Sequence, residues 1–413
     1  VIDKIIGHAA RRQFARAMHF QGGATPALPP PGAAGPCLLY LHVPFCEKLC
    51  PYCSFHRVTF DEGLCREYFG ALRKELSLYR DRGFTFEGIY AGGGTPTVMV
   101  DELADTLGHA KGLFPIREIS VETNPNHLTD RHLDVLQKAG VNRLSVGIQS
   151  FDDGLLKAMD RYEKYGSGAT IAARLKEIGG AFDTLNADMI FNFAGQSAES
   201  LKADIDRLLE TGVDQITYYP LMVSTKTREL VHRTLGPVPE DREREFYGII
   251  TGRLVPPYRF SSAWCVSRKE AMIDEYVVNY DDYAGLGSGS IGYLYGTCYA
   301  NTFDIRDYIA RVNRGEIPLA AAKAFSLGDR VRYDFLMKLF GLFLDIAAMR
   351  NKYGKAFDWH LGRLLLPFRL VGAVRYDYRK DWLYLTPRGR YYWVVMMREF
   401  FVAVNNFRDY CRQ

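Results

Sequence analysis

Between Leu38 and Met222 the sequence alternates six times between a short apolar run and a segment with the 3.6-residue period of an amphipathic helix. The runs are LLYLHV (38–43), GIYAGG (88–93), EISVETN (118–124), RLSVGIQS (143–150), TLNADMIFNF (184–193) and QITYYPLM (215–222). Bounded by glycine, proline and asparagine, they read as strands. CREYFGALRKELSLYR, DELADTLGHAKGLF, DRHLDVLQKAG, GATIAARLKEIGG and SAESLKADIDRLLETG read as the helices between them. Strands joined by crossover helices lie parallel and connect right-handedly, so six such units curve into a partial (β/α)6 barrel of the α/β class. Ligands of such a barrel bind at the C-terminal ends of its strands.

A chain of 413 residues exceeds what one ordinary core fills, so the barrel, residues 37–255, is expected to carry appendages. Residues 1–36 read as an amphipathic helix, with Ile5, Ala9, Phe14, Met18 and Phe20 among charged neighbours, and a linker, QGGATPALPPPGAAGP. Near Val255 the rhythm breaks, and residues 256–325 form a glycine-rich connecting region, DDYAGLGSGSIGYLYGTCYANTF, expected to contribute to a substrate pocket. In residues 326–413 helices return, and LVGAVRYDYRKDWLYLTPRG reads as a hairpin leading to a terminal helix, the pattern of a winged-helix-like unit. A net charge of +4 without dense charged blocks argues against a nucleic-acid partner. Eight unevenly scattered cysteines, no secretory signal and no bilayer-length apolar stretch lead us to expect a cytoplasmic protein.

The chemistry concentrates in Cys46-Glu-Lys-Leu-Cys50-Pro-Tyr-Cys53, directly after a strand and before a helix. Zinc normally takes four Cys or His ligands in paired spacing, which His42 and His56 do not complete. Three thiolates in one tight loop can instead hold three irons of a 4Fe–4S cluster and leave the fourth open. The amino and carboxylate groups of S-adenosylmethionine suit that open position, where reductive cleavage releases a 5′-deoxyadenosyl radical. Gly92, Gly93 and Gly94 end the second strand, and their missing side chains allow close backbone approach. Glu122 and Gln149, at the ends of the third and fourth strands, are expected to point at a ligand.

Tyr40-Leu-His-Val-Pro-Phe-Cys46, Gly92-Gly-Gly-Thr-Pro96, Glu122-Thr-Asn-Pro125, Asn142-Arg-Leu-Ser-Val-Gly-Ile-Gln149-Ser-Phe151 and Asp188-Met-Ile-Phe together resemble the oxygen-independent coproporphyrinogen dehydrogenase branch of the radical S-adenosylmethionine enzymes. The resemblance runs from about residue 38 to 225 and more weakly to the end. It implies a radical SAM barrel with a cluster on Cys46, Cys50 and Cys53, and S-adenosylmethionine contacts from Tyr40, Gly93, Gly94, Thr95, Glu122, Gln149, Arg161 and Asp188. It also implies a second S-adenosylmethionine beside the first and a reduced flavodoxin- or ferredoxin-type electron donor.

Departures from the parent pattern bear on the substrate. Asn192-Phe-Ala-Gly-Gln196, the aromatic strand end Thr217-Tyr-Tyr-Pro-Leu-Met222, CPYCSFHR and GLGSGSIGYLYGTCYANTF resemble the coproporphyrinogen-dehydrogenase-like proteins that methylate menaquinone at ring carbon 8. The expected function is therefore C-methylation of an sp² carbon on a lipophilic quinone, with two S-adenosylmethionine molecules. The alternatives are a porphyrin-directed enzyme that decarboxylates or opens a tetrapyrrole, and a non-catalytic haem-binding chaperone. One of Tyr218 and Tyr219 is expected to face the barrel interior, while Cys265 and Cys298 carry no expected role. A lipophilic substrate suggests peripheral contact with the inner face of the membrane, for which the Ile5–Phe20 helix and the Trp393–Phe401 segment are candidate amphipathic surfaces. Replacing Cys46, Cys50 or Cys53 by Ala is expected to abolish cluster reconstitution and 5′-deoxyadenosine formation, whereas Cys37→Ala and Cys65→Ala keep both. Iron content and nucleoside yield after anaerobic purification check this, and a full cluster in any triad variant would refute the ligand assignment.

Overall fold

The computed structural model describes residues 2–20, 27–32, 37–239, 241–273 and 275–411. Much of the expected linker, residues 21–26 and 33–36, lies outside them. The six expected strands are present: β1 (Cys37–Val43), β2 (Gly88–Gly93), β3 (Glu118–Thr123), β4 (Arg143–Gln149), β5 (Thr184–Phe191) and β6 (Gln215–Pro220). They pair in parallel and in sequence order, as a partial barrel requires. Strands buried on both faces read as nearly continuous apolar runs, and Leu38, Leu39, Leu41 and Val43 of β1 are wholly buried.

The helix α1 (Ile2–Ala17) precedes the barrel, and α2 (Glu62–Asp81), α3 (Val100–Leu113), α4 (Asp130–Ala139), α5 (Gly168–Glu177) and α6 (Ala198–Thr211) clothe it. Four of these crossover helices start on a side-chain cap. Asp61, Thr129, Ser167 and Ser197 accept from the backbone N–H groups of Leu64, His132, Thr170 and Ser200. Each such cap satisfies a donor that the helix leaves unbonded, contributing about 1 kcal/mol.

Beyond the barrel the sheet continues in both directions. A short strand β7 (Cys265–Ser267) pairs antiparallel with β6. On the other side β8 (Asp282–Leu286) pairs in parallel with β1, followed antiparallel by β9 (Ile291–Leu294), β10 (Thr297–Asn301) and β11 (Leu319–Ala324). The glycine-rich region, which reads as irregular, is thus part of the main sheet. Its glycines are there for close approach. A Cβ on Gly292 would lie 2.3 Å from the Tyr299 ring, and one on Gly285 would lie 2.5 Å from the Ile291 carbonyl oxygen.

The remaining elements are α7 (Leu327–Phe340), β12 (Phe343–Asp345), α8 (Ile346–Tyr353), α9 (Ala356–Leu370), β13 (Val374–Asp377), β14 (Trp382–Leu385) and α10 (Pro387–Cys411). The expected hairpin is β13–β14, and β12 completes a three-stranded sheet against β14. The Trp393–Phe401 segment is not an amphipathic surface. Tyr391 through Met397 are all buried within α10, so that helix packs all round. One of its partners is α1, through an ion pair from Arg11 to Glu399 at 2.7 Å and the ring contact Phe14–Phe400, and just past α1 Phe20 stacks on Phe407.

Tyr299 is fully buried, and its hydroxyl bonds to the Gly285 N–H at 3.0 Å and to the Tyr79 hydroxyl at 2.9 Å. Gly292→Ala is expected to displace that ring and break both bonds. The cost should be about 1–3 kcal/mol of stability, read as a lowered denaturation midpoint at unchanged slope.

Candidate functional site

Cys46 ends a two-residue strand, Phe45–Cys46, that pairs in parallel with Val58–Thr59, so the loop carrying Cys50 and Cys53 is pinned at both ends. Arg57 holds its middle. Its Nη2 donates to the carbonyl oxygens of Cys50 and Cys53 at 2.6 and 2.7 Å. Behind Cys46, the Thr95 hydroxyl donates to Sγ at 3.6 Å and accepts from Asn124 Nδ2 at 2.8 Å. Arg161 Nη1 lies 3.5 Å from the Cys50 sulfur, while Nη2 donates to the Gly147 carbonyl and to Asn124 Oδ1.

Burial pushes the Cys46 thiol up to about 11, although the Thr95 hydrogen bond works the other way. A metal-free triad therefore favours its protonated form at Cys46, and coordination to a metal deprotonates such a thiol outright. Among the described residues no three His, Cys, Asp or Glu side chains converge on a point that a single ion could occupy. Three cysteines at this spacing suit a cubane, in which each thiolate meets a different iron.

All three cysteines border one cavity of about 1840 Å³. Of the residues expected at the cofactor, Tyr40, Gly93, Gly94, Glu122, Gln149, Arg161 and Asp188 border it too. Thr95 does not; it is 1% exposed and turned toward Cys46.

The strand ends interlock. Glu122 accepts from the Tyr90 hydroxyl at 2.7 Å and from the Gly93 N–H at 3.1 Å. It sits where a Gly92 side chain would be, since a Cβ there would lie 2.7 Å from the Glu122 carboxyl carbon. Gly93, at φ +113°, similarly leaves room for the His42 ring. His42 Nε2 faces the His56 carbonyl oxygen at 2.9 Å and so carries its proton there. In the neutral ring Nδ1 then accepts from the Tyr40 hydroxyl, 2.8 Å away. Asp188 accepts from Ser145 at 2.6 Å and from Asn186 at 2.7 Å. Gln149, at φ 76°, follows a register shift between β4 and β5, a left-handed backbone that non-glycine residues adopt at some cost.

Sequence reasoning missed Arg57, Tyr90, Asn124 and Tyr276. Tyr276 packs face to face with Tyr40, the ring centroids 5.7 Å apart. Asn124 stood within the ETNP motif and Arg57 four residues past Cys53, so position beside a motif was the available signal. Tyr219 is the member of the tyrosine pair that borders the cavity, while Tyr218 is buried outside it. Cys298 also borders the cavity, but burial pushes its thiol up to about 12, which leaves it a poor nucleophile.

The sequence pattern of the Radical SAM superfamily matches residues 40–208, the stretch that holds the triad and the interlocked strand ends. The haem chaperone HemW of Bacillus subtilis is 28% identical over 371 residues, covering 85% of this chain and 95% of its own. The oxygen-independent coproporphyrinogen III oxidase of Paracoccus denitrificans is 28% identical over 389 residues, covering 87% and 85%. Among solved structures, the radical SAM coproporphyrinogen III oxidase HemN of Escherichia coli superposes with a TM-score of 0.72 at 22% identity, covering 94% of this chain and 93% of that one. Over the stretch that carries the triad the chain is thus similar to the radical SAM superfamily, and over most of its length to HemW and to oxygen-independent coproporphyrinogen III oxidases. That similarity implies a 4Fe–4S cluster and S-adenosylmethionine as cofactors.

Away from the triad the cavity wall turns apolar, with Ile190, Met222, Leu336, Phe368, Trp393 and Phe401 among its lining. Its far side is bordered by α1, α7, α9 and α10. Among the described residues no helix is long and apolar enough to cross a membrane. Arg57 contributes no metal ligand yet shapes the cysteine loop, so Arg57→Met is expected to keep the fold but lose iron several-fold faster to a chelator. Iron retention followed by absorbance checks it, and retention equal to the parent's would mean the loop needs no such tie.

Proposed function

We propose that the chain performs radical chemistry on a large, flat, mostly apolar ring compound held in this cavity. The observation that carries the reading is the continuity of one cavity from the cysteine triad to an extensive aliphatic and aromatic wall. In this reading Cys46, Cys50 and Cys53 hold the cluster. Tyr40, Gly93, Gly94, Glu122, Gln149, Arg161 and Asp188 form the floor that binds S-adenosylmethionine, with Thr95 supporting Cys46 from behind. When bound, the cluster and S-adenosylmethionine supply a 5′-deoxyadenosyl radical. The chain's own residues orient and shield. Arg161 presents a buried cation beside Cys50 for a carboxylate, Asp188 an acceptor for ribose hydroxyls, and the apolar wall confines the ring compound against the floor. The division into an extension (1–36), barrel (37–255), connecting region (256–325) and C-terminal unit (326–413) belongs to the same proposal.

The relatives favour a tetrapyrrole as substrate, because both haem chaperones and coproporphyrinogen oxidases are tetrapyrrole proteins by name. That places oxidative decarboxylation or ring opening of a porphyrin ahead of the quinone methylation expected from sequence, with haem carriage as the non-catalytic variant. Quinone methylation stays as a second reading on one observation. A tetrapyrrole with several carboxylates wants several cations, yet two arginines on the wall, the half-buried Arg57 and the buried Arg161, are committed to the cysteine loop and to Gly147. A lipid-borne substrate also accords with the cavity's border. There α9 exposes Trp359, Leu366 and Leu370 beside Arg363, and α1 exposes Ile5, so peripheral membrane contact is part of this second reading.

Two measurements test these readings. Glu122→Ala and Gln149→Ala should keep the iron yet weaken binding of an unreactive S-adenosylmethionine analogue about tenfold or more, and unchanged affinity in both would mean that the cofactor lies elsewhere. Anaerobic turnover with a low-potential reductant, methyl-trideuterated S-adenosylmethionine and either coproporphyrinogen III or a menaquinone then separates the substrates. The porphyrin reading expects unlabelled 5′-deoxyadenosine, carbon dioxide or an opened ring, and no S-adenosylhomocysteine. The methylation reading expects one deuterium in 5′-deoxyadenosine and two in the product, and haem retention without any nucleoside would support carriage alone.

A further inference from the structure

Arg408 lies near the end of α10 and borders the cavity. It is 7% exposed, its Nη1 donates to Asn405 Oδ1 at 2.8 Å, and its guanidinium lies over the Phe55 ring at 4.9 Å. Its Nε is buried and has no hydrogen-bond partner among the described residues. Removing a cation from water costs several kcal/mol unless an opposite charge or a full set of acceptors answers it. One amide oxygen and one aromatic face do not complete the five donors of a guanidinium.

Arg57 and Arg161 also leave Nε without a partner among the described residues, but other donors of each are engaged. Arg57 donates to two carbonyls, and Arg161 to a carbonyl, an amide and a cysteine sulfur, whereas Arg408 has one amide oxygen. Arg408 keeps unused donors in the cavity, near Tyr40, Tyr276, Cys53 and Tyr283. Burial pushes its guanidinium below the ordinary value, the mark of a cation that its own protein leaves short of partners.

We propose that Arg408 anchors the substrate by an oxygen on its ring-bearing end, and so decides which part of the ring faces the cysteine triad. The inference rests on the cavity being the substrate site. The ligand is an oxygen acceptor, either a tetrapyrrole carboxylate or a quinone carbonyl, both of which a planar guanidinium fork can meet with two donors. Phe55, two residues past Cys53, keeps the fork flat by stacking, which ties the anchor to the cluster loop. Arg408 is therefore a positioning residue: it holds the substrate and does not exchange atoms with it.

The test uses the full-length, anaerobically reconstituted protein with two probes, coproporphyrin III and a short-tailed menaquinone. Binding is read by quenching of tryptophan fluorescence, which Trp393 on the cavity wall should report. Arg408→Met is expected to weaken whichever probe the parent binds by about tenfold to a hundredfold. Iron content and affinity for an S-adenosylmethionine analogue should stay at parental values. Arg408→Lys keeps the charge and the aliphatic stem, so it carries the test if the Met variant fails to fold, with an expected loss of at least about threefold. Parental affinity of the variants for the probe would overturn the anchor alone. A loss confined to the S-adenosylmethionine analogue would also overturn it, by giving Arg408 to the cofactor. Failure of the parent to bind either probe would overturn both the anchor and the reading of the cavity.

Discussion

The floor of the cavity depends on two missing side chains. Parallel pairing sets His42 of β1 opposite Gly92 of β2 and Val43 opposite Gly93, so whatever the glycines leave open is filled from the flanking strands. Glu122 takes the space above Gly92 and the His42 ring takes the space beside Gly93. Once there, Glu122 ties Tyr90 to the Gly93 backbone, and His42 ties Tyr40 to the segment that follows the cysteine loop. Any side chain at either glycine would push a polar group out of its partners, and a buried polar group left unpaired costs about 1–3 kcal/mol. The two glycines thus act through what they admit.

Electrostatics shapes the triad in the same indirect way. Once deprotonated, three cysteines in one loop would repel one another, and the protein sets cations just outside the sulfurs rather than acids or bases between them. Arg57 works through carbonyl groups and Arg161 through the Cys50 sulfur and the β4 end. A guanidinium stays charged under all ordinary conditions, so neither contribution switches off with pH.

How far the sequence could be read followed the range of the interactions involved. The six parallel strands were legible to within two residues at each end, because burial on both faces writes itself as a local apolar run. The cysteine spacing and the glycine triplet were local too. What was not legible depended on distant partners. The strands after residue 281 are interrupted by glycines whose purpose is to admit Tyr299 and the Ile291 carbonyl. Trp393–Phe401 carries enough polar residues to look amphipathic, yet Glu399 is buried because Arg11 and Arg398, one of them near the other end of the chain, reach it. Thr95 sits in a cofactor motif but spends its hydroxyl on Cys46 and Asn124. No local pattern marks Arg408, whose setting arises only where α10 passes the cluster loop.

The cavity is assembled from opposite ends of the sequence. Every residue proposed for the cofactor floor lies between Tyr40 and Asp188, in contacts that close over neighbouring βα units, whereas the far wall joins α1 to α10 across almost the whole chain. Local units form before contacts that must close long loops. The metal-bearing half is therefore complete in topology while the chamber is still open. The cysteine loop is still accessible at that stage, and the far wall closes over it only with α10. The cysteine loop and the wall that encloses it are in this way separated along the chain.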